Sequence, residues 1–400
     1  MHKLVKYLSA AVLCTLAAGA IFLGWCAAQL PDTFFVQEGQ SLVISEMPFL
    51  HAVRVTGQTA DAAVSEPPSY ATELRLFGLV PVKTVRAQVT QRRVVSVYGT
   101  PFGIKMFQDG VMVVGFSDIL TDKGNRNPAR DAGLQMGDLV TTNEQVAEIL
   151  KKSEGAGIKV EYRRDGAERA GMLYPVKDKT LGSYRSGMWV RDSSAGIGTM
   201  TFVDNDTRVF AGLGHSINDT DTGKLVPLLS GEIVPVEVIG VEKSVAGTPG
   251  QIRGRFGSGV PAGTIRANDE SGVYGTIYLP QRVNVMEVAL AQEVVTGPAQ
   301  ILTTLDDEGA QWYDIQVEKV ALNADSDTKN MVIRVTDKKL LDKTGGIVQG
   351  MSGSPVVQNG RLIGAVTHVL VNDPTRGYAI FADHMLAEAD AVNSGAEKAA

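Results

Sequence analysis

The chain has 400 residues, 44% of them hydrophobic and 20% charged, with a formal net charge of −6 at pH 7. This length predicts two or three domains, and the acidic balance argues against nucleic-acid binding, which normally needs a basic face. The 43 glycines, against 12 phenylalanines and 3 tryptophans, predict many turns and a mainly β protein.

Residues 1–29 predict a signal or membrane anchor. Lys3 and Lys6 precede an apolar run over residues 8–28, which is long enough to cross a bilayer with the lysines on the cytoplasmic side. The remainder would then be exported. We favour an anchor, although the small residues around Ala27 also allow a cleaved signal peptide. A lipid-modified Cys26 is disfavoured because bulky Trp25 precedes it.

The cysteines limit the chemistry of the exported part. Cys14 and Cys26 both lie in the apolar run, so the exported part has no disulfide, no cysteine-based zinc site and no thiol nucleophile. There is also no H-E-x-x-H motif or clustered His/Cys spacing. We therefore expect no metal and no cofactor, and a nucleophile other than sulfur if the protein is an enzyme.

Two regions follow the anchor. Residues 30–90 read as short strands and a proline-bearing linker, without an assignable function. Residues 91–180 read as strands with two helices, one over "NPARDAG" from Pro128 and one over "TNEQVAEILKKSEG" from Thr142 or Asn143. A hairpin is predicted at Asp165-Gly166.

This order of elements resembles a PDZ domain. The resemblance implies that an extended peptide adds to a strand and that its carboxylate rests on backbone amides of a loop. The matching loop is "TPFGIKM", where Phe102, Gly103 and Ile104 would present the amides. Pro101 and Phe102 replace the usual Gly-Leu pair, and the alternative is a small β-rich spacer domain that binds no ligand.

Residues 181–400 are β throughout until the final helix. More than ten strand-like segments follow one another at short spacing, which predicts a sandwich or a pair of barrels. The segment "FADHMLAEADAV" predicts a C-terminal helix. This region carries the candidate chemistry.

The stretch "GGIVQGMSGSPVVQNG" (residues 345–360) predicts a reactive serine. A glycine two positions before Ser352 lets the amides of Gly350 and Ser352 point at one spot, as an oxyanion hole needs. The segment resembles the G-x-S-G-x-P stretch of chymotrypsin-type peptidases and turns into a hairpin at Asn359-Gly360. It lacks the strand and helix of an α/β-hydrolase elbow. Ser354 is a weaker rival because no glycine precedes it at that spacing.

A serine nucleophile needs a base, and histidine is the usual one. His215 lies at a strand end in "AGLGHSI", flanked by Gly212 and Gly214, and is the preferred candidate. His368 is the second choice. The other two histidines of the exported region are less favourable, and the carboxylate that would orient the base stays open among three residues: Asp219, Asp221 and Asp337.

Together, the anchor, the PDZ-like order, "AGLGHSI" and the serine segment resemble the stage IV sporulation protein B peptidases of endospore-forming bacteria. The resemblance covers most of the chain and implies a chymotrypsin-like double β-barrel over residues 181–400. It places the catalytic set of the family on His215, Ser352 and Asp337. Asp337 departs from the chymotrypsin layout, in which the acid follows the histidine closely.

The same resemblance implies a role in signalling. Such a peptidase is exported into the forespore intermembrane space, cleaves itself near its N-terminus and cuts a membrane-bound regulator of an intramembrane metalloprotease. That cleavage releases processing of a late sigma factor. The main alternative is a catalytically silent, anchored PDZ scaffold. A quality-control peptidase fits less well because its PDZ domain usually follows the peptidase domain.

Overall fold

The computed structural model of the protein describes residues 2–59, 68–141, 146–324, 326 and 328–395. The chain begins with helix α1 (His2–Ala28). Among the described residues, α1 is the helix long and apolar enough to cross a membrane, over Lys6–Ala28. Its length and composition fit a membrane anchor or a signal sequence. Near its end, the Phe22 ring lies 6.3 Å from that of Phe49 in the module that follows.

Residues 30–59 and 68–90 form a β-sheet module. Its strands are β1 (Thr33–Gln37), β2 (Leu50–Thr59), β3 (Ser69–Leu76) and β4 (Val80–Thr90). They lie in the order β1-β4-β3-β2, with β1 parallel to β4. Phe34 and Val36 alternate along β1 with exposed residues and point into the core of this module. The module is attached to the rest of the chain where the Ser45 amide donates to the Gln292 carbonyl.

A smaller inserted unit, described over residues 111–141 and 146–187, follows β5 (Val94–Val97) and extends from the second half of β6 (Pro101–Phe116). Its elements are β7 (Ile119–Thr121), β8 (Gly124–Arg126), α2 (Pro128–Asp131), β9 (Leu139–Val140), α3 (Val146–Lys152), β10 (Ile158–Arg164), β11 (Ala167–Leu173), β12 (Val176–Lys177) and β13 (Tyr184–Arg185). It has an apolar core of its own around Val113 and Val160.

Two local predictions for the inserted unit are confirmed. The side chain of Asn127 caps α2, which starts at Pro128 as expected for proline in the first turn. The β10–β11 hairpin turns at Asp165-Gly166. The predicted start of the longer helix, Thr142 or Asn143, lies outside the described residues.

The first barrel contains the strands that follow the inserted unit. They are β14 (Met188–Asp204), β15 (Val209–Gly212), β16 (Ser230–Glu242), β17 (Gln251–Phe256), β18 (Gly263–Asp269), β19 (Gly272–Ile277) and β20 (Val285–Glu287). The sheet runs β6-β16-β18-β19-β15-β14, and β14 pairs again with β6. These strands therefore form a ring, with Phe210 and Ile233 in its centre.

The second barrel is closed, in the order β21-β22-β23-β26-β25-β24. A short 3₁₀ turn (Ala291–Glu293) precedes this barrel. The elements that follow are β21 (Gly297–Thr304), β22 (Ala310–Val320), β23 (Met331–Val335), α4 (Lys338–Thr344), β24 (Pro355–Gln358), β25 (Arg361–Val369), β26 (Arg376–Phe381) and α5 (Ala382–Ser394). The predicted hairpin at Asn359-Gly360 joins β24 to β25, and α5 is the predicted C-terminal helix.

A core between the two barrels holds them together. Phe202 and Tyr274 of the first barrel pack there with Leu302 and Ile380 of the second, and α5 adds Met385. Full burial of such side chains contributes about 1.5–3 kcal/mol each, so docking of the barrels is a large part of the stability. The predicted mainly β, double-barrel fold is confirmed.

The peptide-binding assignment of Phe102, Gly103 and Ile104 needs correction. These residues lie in the first half of β6, a central strand that pairs with β14 on one side and β16 on the other. Phe102 and Ile104 are 4% and 3% exposed. Because both neighbouring strands use the backbone groups of β6, the three amides do not form an open carboxylate-binding loop. The predicted domain over 91–180 therefore mixes barrel strands with the inserted unit.

Candidate active site

A cleft with a volume of about 490 Å³ lies where the two barrels meet. His215 lines it from the first barrel, and Ser352 and His368 line it from the second. The described residues that line the cleft include no aspartate, glutamate, lysine or arginine. The predicted nucleophile and the predicted base thus share one neutral, largely apolar cavity, although they are far apart in the chain.

Ser352 lies in a tight turn before β24 whose shape depends on two glycines. Gly350 and Gly353 have φ angles of 97° and 92°, a region that side chains rarely adopt. Gly353 also has no room for a side chain, because an added Cβ would lie 1.9 Å from the Thr199 carbonyl oxygen. The Ser352 Oγ is half-buried and donates a hydrogen bond to the Thr367 carbonyl, 2.8 Å away.

Ser354, the weaker rival for the nucleophile, is inaccessible. Its side chain is fully buried, and its Oγ donates to the Thr303 hydroxyl at 3.0 Å. Ser352 is therefore the serine of this segment that reaches the cleft.

Strand β14 of the first barrel holds the serine turn in place. The Thr199 Oγ1 donates to the Gly350 carbonyl at 2.7 Å, and the Thr199 amide donates to the Ser352 carbonyl at 2.9 Å. The Thr201 Oγ1 donates to the Gly353 carbonyl at 2.7 Å. Both threonine side chains therefore point towards the serine turn. The carbonyls of the turn are thereby directed towards β14.

The amides predicted to bind the oxyanion are those of Gly350 and Ser352. Both residues line the cleft. Within the part of the chain that the structure describes, neither amide donates a hydrogen bond. They are therefore available donors on a turn whose carbonyls are already bound, which is what an oxyanion hole requires.

His215 follows β15 through a strained segment. Leu213 and Gly214 have φ angles of 67° and 70°, and this left-handed conformation costs a residue such as leucine about 1–2 kcal/mol. An added Cβ on Gly214 would lie 3.0 Å from methyl groups of Thr367 and Ile380. Strain of this kind beside a cleft persists only where the surrounding packing enforces it, and it is common at functional sites.

The hydrogen bond of the His215 ring defines its tautomer. Nδ1 lies 2.8 Å from the Ser216 carbonyl oxygen, which can only accept, so Nδ1 carries the proton and Nε2 keeps its lone pair. Burial lowers the pKa of His215 below its ordinary value, and the Ser216 carbonyl raises it in opposition. The ring is therefore neutral near pH 7, as a general base must be.

His368, the second choice for the base, lies beside the first. The two rings have centroids 4.8 Å apart and a tilt of 35°. Partial desolvation beside the cleft lowers the pKa of His368 to about 4, although the residue keeps an exposed side, and electrostatic interaction with His215 and Lys329 contributes. His368 is thus neutral at pH 7 and forms a wall of the cleft against His215.

The two remaining histidines after α1 lie elsewhere. His51 is on β2 of the N-terminal module. His384 is on α5, with its ring edge against Phe381 at 5.4 Å. Neither lines the cleft.

Comparison with known proteins identifies the family of this chain. The family model of the SpoIVB peptidase S55 matches residues 182–386. The chain belongs to the SpoIVB peptidase S55 family. The match includes the serine turn and His215, and the protein is a serine endopeptidase. No curated protein matches the chain.

Solved structures give more distant likenesses. The inactive form of the Rv3671c protease is 13% identical with a TM-score of 0.28, over 49% of this chain and 84% of that one. The HtrA-type protease AlgW with a decapeptide is 11% identical with a TM-score of 0.31, over 75% of this chain and 66% of that one. A second inactive form of Rv3671c, from M. tuberculosis H37Rv, has a TM-score of 0.24, with 14% identity over 43% of this chain and 86% of that one. At these TM-scores the likeness supports no statement about chemistry, and family membership rests on the family model.

Asp337, predicted as the catalytic acid, lies at the start of α4. Its Oδ1 accepts from the Leu340 amide at 3.0 Å and caps the helix, and its Oδ2 accepts from the Asp314 amide at 3.4 Å. It does not line the cleft, and its hydrogen bonds do not include His215. The structure does not bring Asp337 to the base, so its catalytic role stays a prediction.

The other two acid candidates are engaged by one arginine. Arg191 forms ion pairs with Asp219 and with Asp221. Asp219 is fully buried there and also accepts from the amides of Asp221 and Thr222. These bonds close the turn after His215 rather than reach its ring.

Substitution of Asp337 separates its observed role as a helix cap from its predicted role as the catalytic acid. Asparagine caps helices as well as aspartate does, so we expect Asp337→Asn to keep near-normal stability and Asp337→Ala to lose about 1 kcal/mol of unfolding free energy. The predicted role as the catalytic acid would show in the peptidase rate, because changing such an acid to asparagine reduces turnover about 10⁴-fold. Urea unfolding and peptidase rates of both variants distinguish a cap from an acid.

Several site residues were not found from the sequence. Thr199, Thr201 and Thr367 position Ser352 through hydrogen bonds. The segment "GTMTF" places two threonines close together in one strand, but the turn that they bond lies in the other barrel. No local pattern identifies it.

Proposed function

We propose that Ser352 is the nucleophile and His215 the general base of peptide-bond hydrolysis in this cleft. The observation that carries the proposal is that both side chains line one neutral cleft, with His215 held so that Nε2 is free to accept a proton. The available amides of Gly350 and Ser352 support it.

The reaction follows from these positions. Rotation of the Ser352 side chain turns its hydroxyl from the Thr367 carbonyl towards His215 Nε2, which takes the proton as Oγ attacks the scissile carbonyl. The Gly350 and Ser352 amides stabilise the oxyanion. The protonated His215 then donates to the leaving amine, and water hydrolyses the acyl-enzyme by the same steps.

We further propose that the peptidase is exported and anchored by α1, cleaves itself near its N-terminus, and then cuts a membrane-bound regulator of an intramembrane metalloprotease. This cleavage in the forespore intermembrane space would start late sigma-factor processing. Membership in the SpoIVB peptidase family and the apolar N-terminal helix support this role. The inserted unit would bind a protein partner through a surface other than Phe102, Gly103 and Ile104.

A serine-directed fluorophosphonate tests the catalytic proposal against the silent-scaffold alternative. We expect the full chain in detergent to form a covalent adduct that mass spectrometry locates on Ser352, because only an activated serine reacts at an appreciable rate. Heat-unfolded protein is the control and should not react. An intact chain without an adduct at Ser352 would support the scaffold.

A further inference from the structure

The turn between β3 and β4 in the N-terminal module is apolar and exposed. Residues 76–82, "LFGLVPV", carry no polar or charged side chain. Phe77 is 68% exposed and Leu79 is 78% exposed. Turns that face water normally use polar residues together with glycine, and a run of exposed apolar residues is unfavourable unless another surface covers it. This segment, the hairpin tip, therefore has the character of a contact surface.

A series of aromatic rings connects the hairpin tip to α1. The Phe77 ring lies 6.4 Å from that of Phe49, which lies 6.3 Å from the Phe22 ring of α1. The Phe77 amide also donates to the Phe49 carbonyl at 2.8 Å. Phe22 in turn stacks on Trp25 with ring centroids 6.0 Å apart. The hairpin tip thus lies on the side of the molecule that faces the last turns of α1.

The end of α1 is fixed to the folded part of the chain. Cys26 and Leu30 are fully buried, and Leu30 belongs to the core of the N-terminal module. The Lys83 Nζ donates to the Leu30 carbonyl at 2.5 Å. From the loop after β22, the Asn323 Nδ2 donates to the Ala28 carbonyl at 2.9 Å. Packing and hydrogen bonds therefore set the position of the hairpin tip relative to α1.

The length of α1 indicates the depth at which the tip would lie. The apolar span Lys6–Ala28 is about 35 Å long at a rise of 1.5 Å per residue, close to the roughly 30 Å of a bilayer's hydrocarbon core. Phe22 precedes the end of α1 by about 9 Å along the helix axis. A membrane-spanning α1 therefore places Phe22 inside the outer leaflet and brings Phe49 and Phe77 to the lipid surface.

We propose that the hairpin tip inserts into the outer surface of the lipid bilayer beside α1, as a second membrane contact of the peptidase. This inference rests on the proposed role of α1 as an anchor. The geometry favours lipid as the occupant, because the tip is held beside the part of α1 that lipid itself would surround. Insertion removes the apolar surface of Phe77 and Leu79 from water, which is favourable. The contact would keep the N-terminal module at the membrane, where the proposed substrate also lies.

The experiment places a fluorophore at three positions of the full chain in phosphatidylcholine liposomes. Leu79→Cys, combined with Cys14→Ala, carries an NBD maleimide on the hairpin tip. Leu279→Cys in the same background is the matched control, because Leu279 is 86% exposed but follows β19 of the first barrel. Wild-type protein labelled at Cys14, the exposed cysteine of α1, reports insertion of the helix itself. Cys26 is buried and should not label.

We expect doxyl-labelled phosphatidylcholine to reduce NBD fluorescence at residue 79 by about half, because an apolar segment buried about 5–10 Å into the headgroup boundary comes within reach of the quencher. The emission at residue 79 should also shift to shorter wavelength. Fluorescence at Cys14 should be quenched as well, and that at residue 279 should not change. Since Leu79 is exposed, its substitution should leave the fold intact.

Quenching at residue 79 no stronger than at residue 279 would overturn the inference. A shift to shorter wavelength without quenching would overturn it too, since protein rather than lipid would then cover the tip. If Cys14 is quenched and residue 79 is not, the tip contact is refuted and the anchor stands. If neither position is quenched, the proposed anchoring by α1 fails together with the tip contact.

Discussion

Replacing Ser352 with alanine should give a folded protein that has lost at least about 1,000-fold of its peptidase rate. The change removes the nucleophile and one hydrogen bond to Thr367, so the expected cost in unfolding free energy is only about 1 kcal/mol. The proposed self-cleavage predicts that the N-terminus of the variant remains uncut and that the wild-type N-terminus is trimmed. Mass spectrometry of the mature N-terminus and cleavage of an added peptide measure both effects.

Ser354→Ala is the matched control for this loss. It removes a hydroxyl two positions away that is buried and bonded to Thr303, so stability should fall slightly and the peptidase rate should stay near that of wild type. Normal trimming in Ser352→Ala, with no contaminating peptidase, would contradict the assignment of the nucleophile. Loss of activity in Ser354→Ala alone would move that assignment to Ser354.

Gly353→Ala should be the most destabilising single change in the serine turn, by about 3 kcal/mol or more. The new Cβ would lie 1.9 Å from the Thr199 carbonyl and 2.5 Å from the Leu213 amide, and the residue already has a φ of 92°. Because both neighbours are backbone atoms of the first barrel, relief requires the barrels to move apart. Fluorophosphonate labelling should therefore fall together with the urea midpoint.

Gly360→Ala separates backbone strain from crowding. Gly360 has a φ of 74° in the β24–β25 hairpin, but nothing lies within 4 Å of an added Cβ. We expect a cost of about 1–2 kcal/mol, from the left-handed conformation alone, and an unchanged labelling rate. If Gly353→Ala and Gly360→Ala lose the same stability, the close contact between the barrels at Gly353 adds nothing to the cost, and the packing described for that residue is wrong.

Patterns that act over a few residues predicted the local structure well. Proline at position 128, the Asp165-Gly166 and Asn359-Gly360 turns and the C-terminal helix are all where they were expected. Their signals are conformational preferences of the residues themselves. The glycine-rich segment around Ser352 belongs to the same class, since its φ angles follow from its glycines.

The PDZ-like prediction was wrong for Phe102, because the role of this residue depends on distant segments and not on short-range preferences. A strand that starts in the barrel and continues into the inserted unit has one sequence pattern but two environments. Alternation along β6 does not show where pairing with β14 and β16 ends. The partners of a strand, and so the use of its amides, depend on residues elsewhere in the chain.

From the sequence alone came the mainly β class, the apolar helix, the reactive-serine turn and the choice of His215, because each depends on residue types at short spacing. Only the tertiary structure showed that Ser352 and His215 share a cleft, that Asp337 caps a helix, and that the Ser216 carbonyl bonds to the His215 ring. Hydrogen bonds between distant segments depend on how the two barrels close and dock, and no local pattern in the chain encodes that geometry.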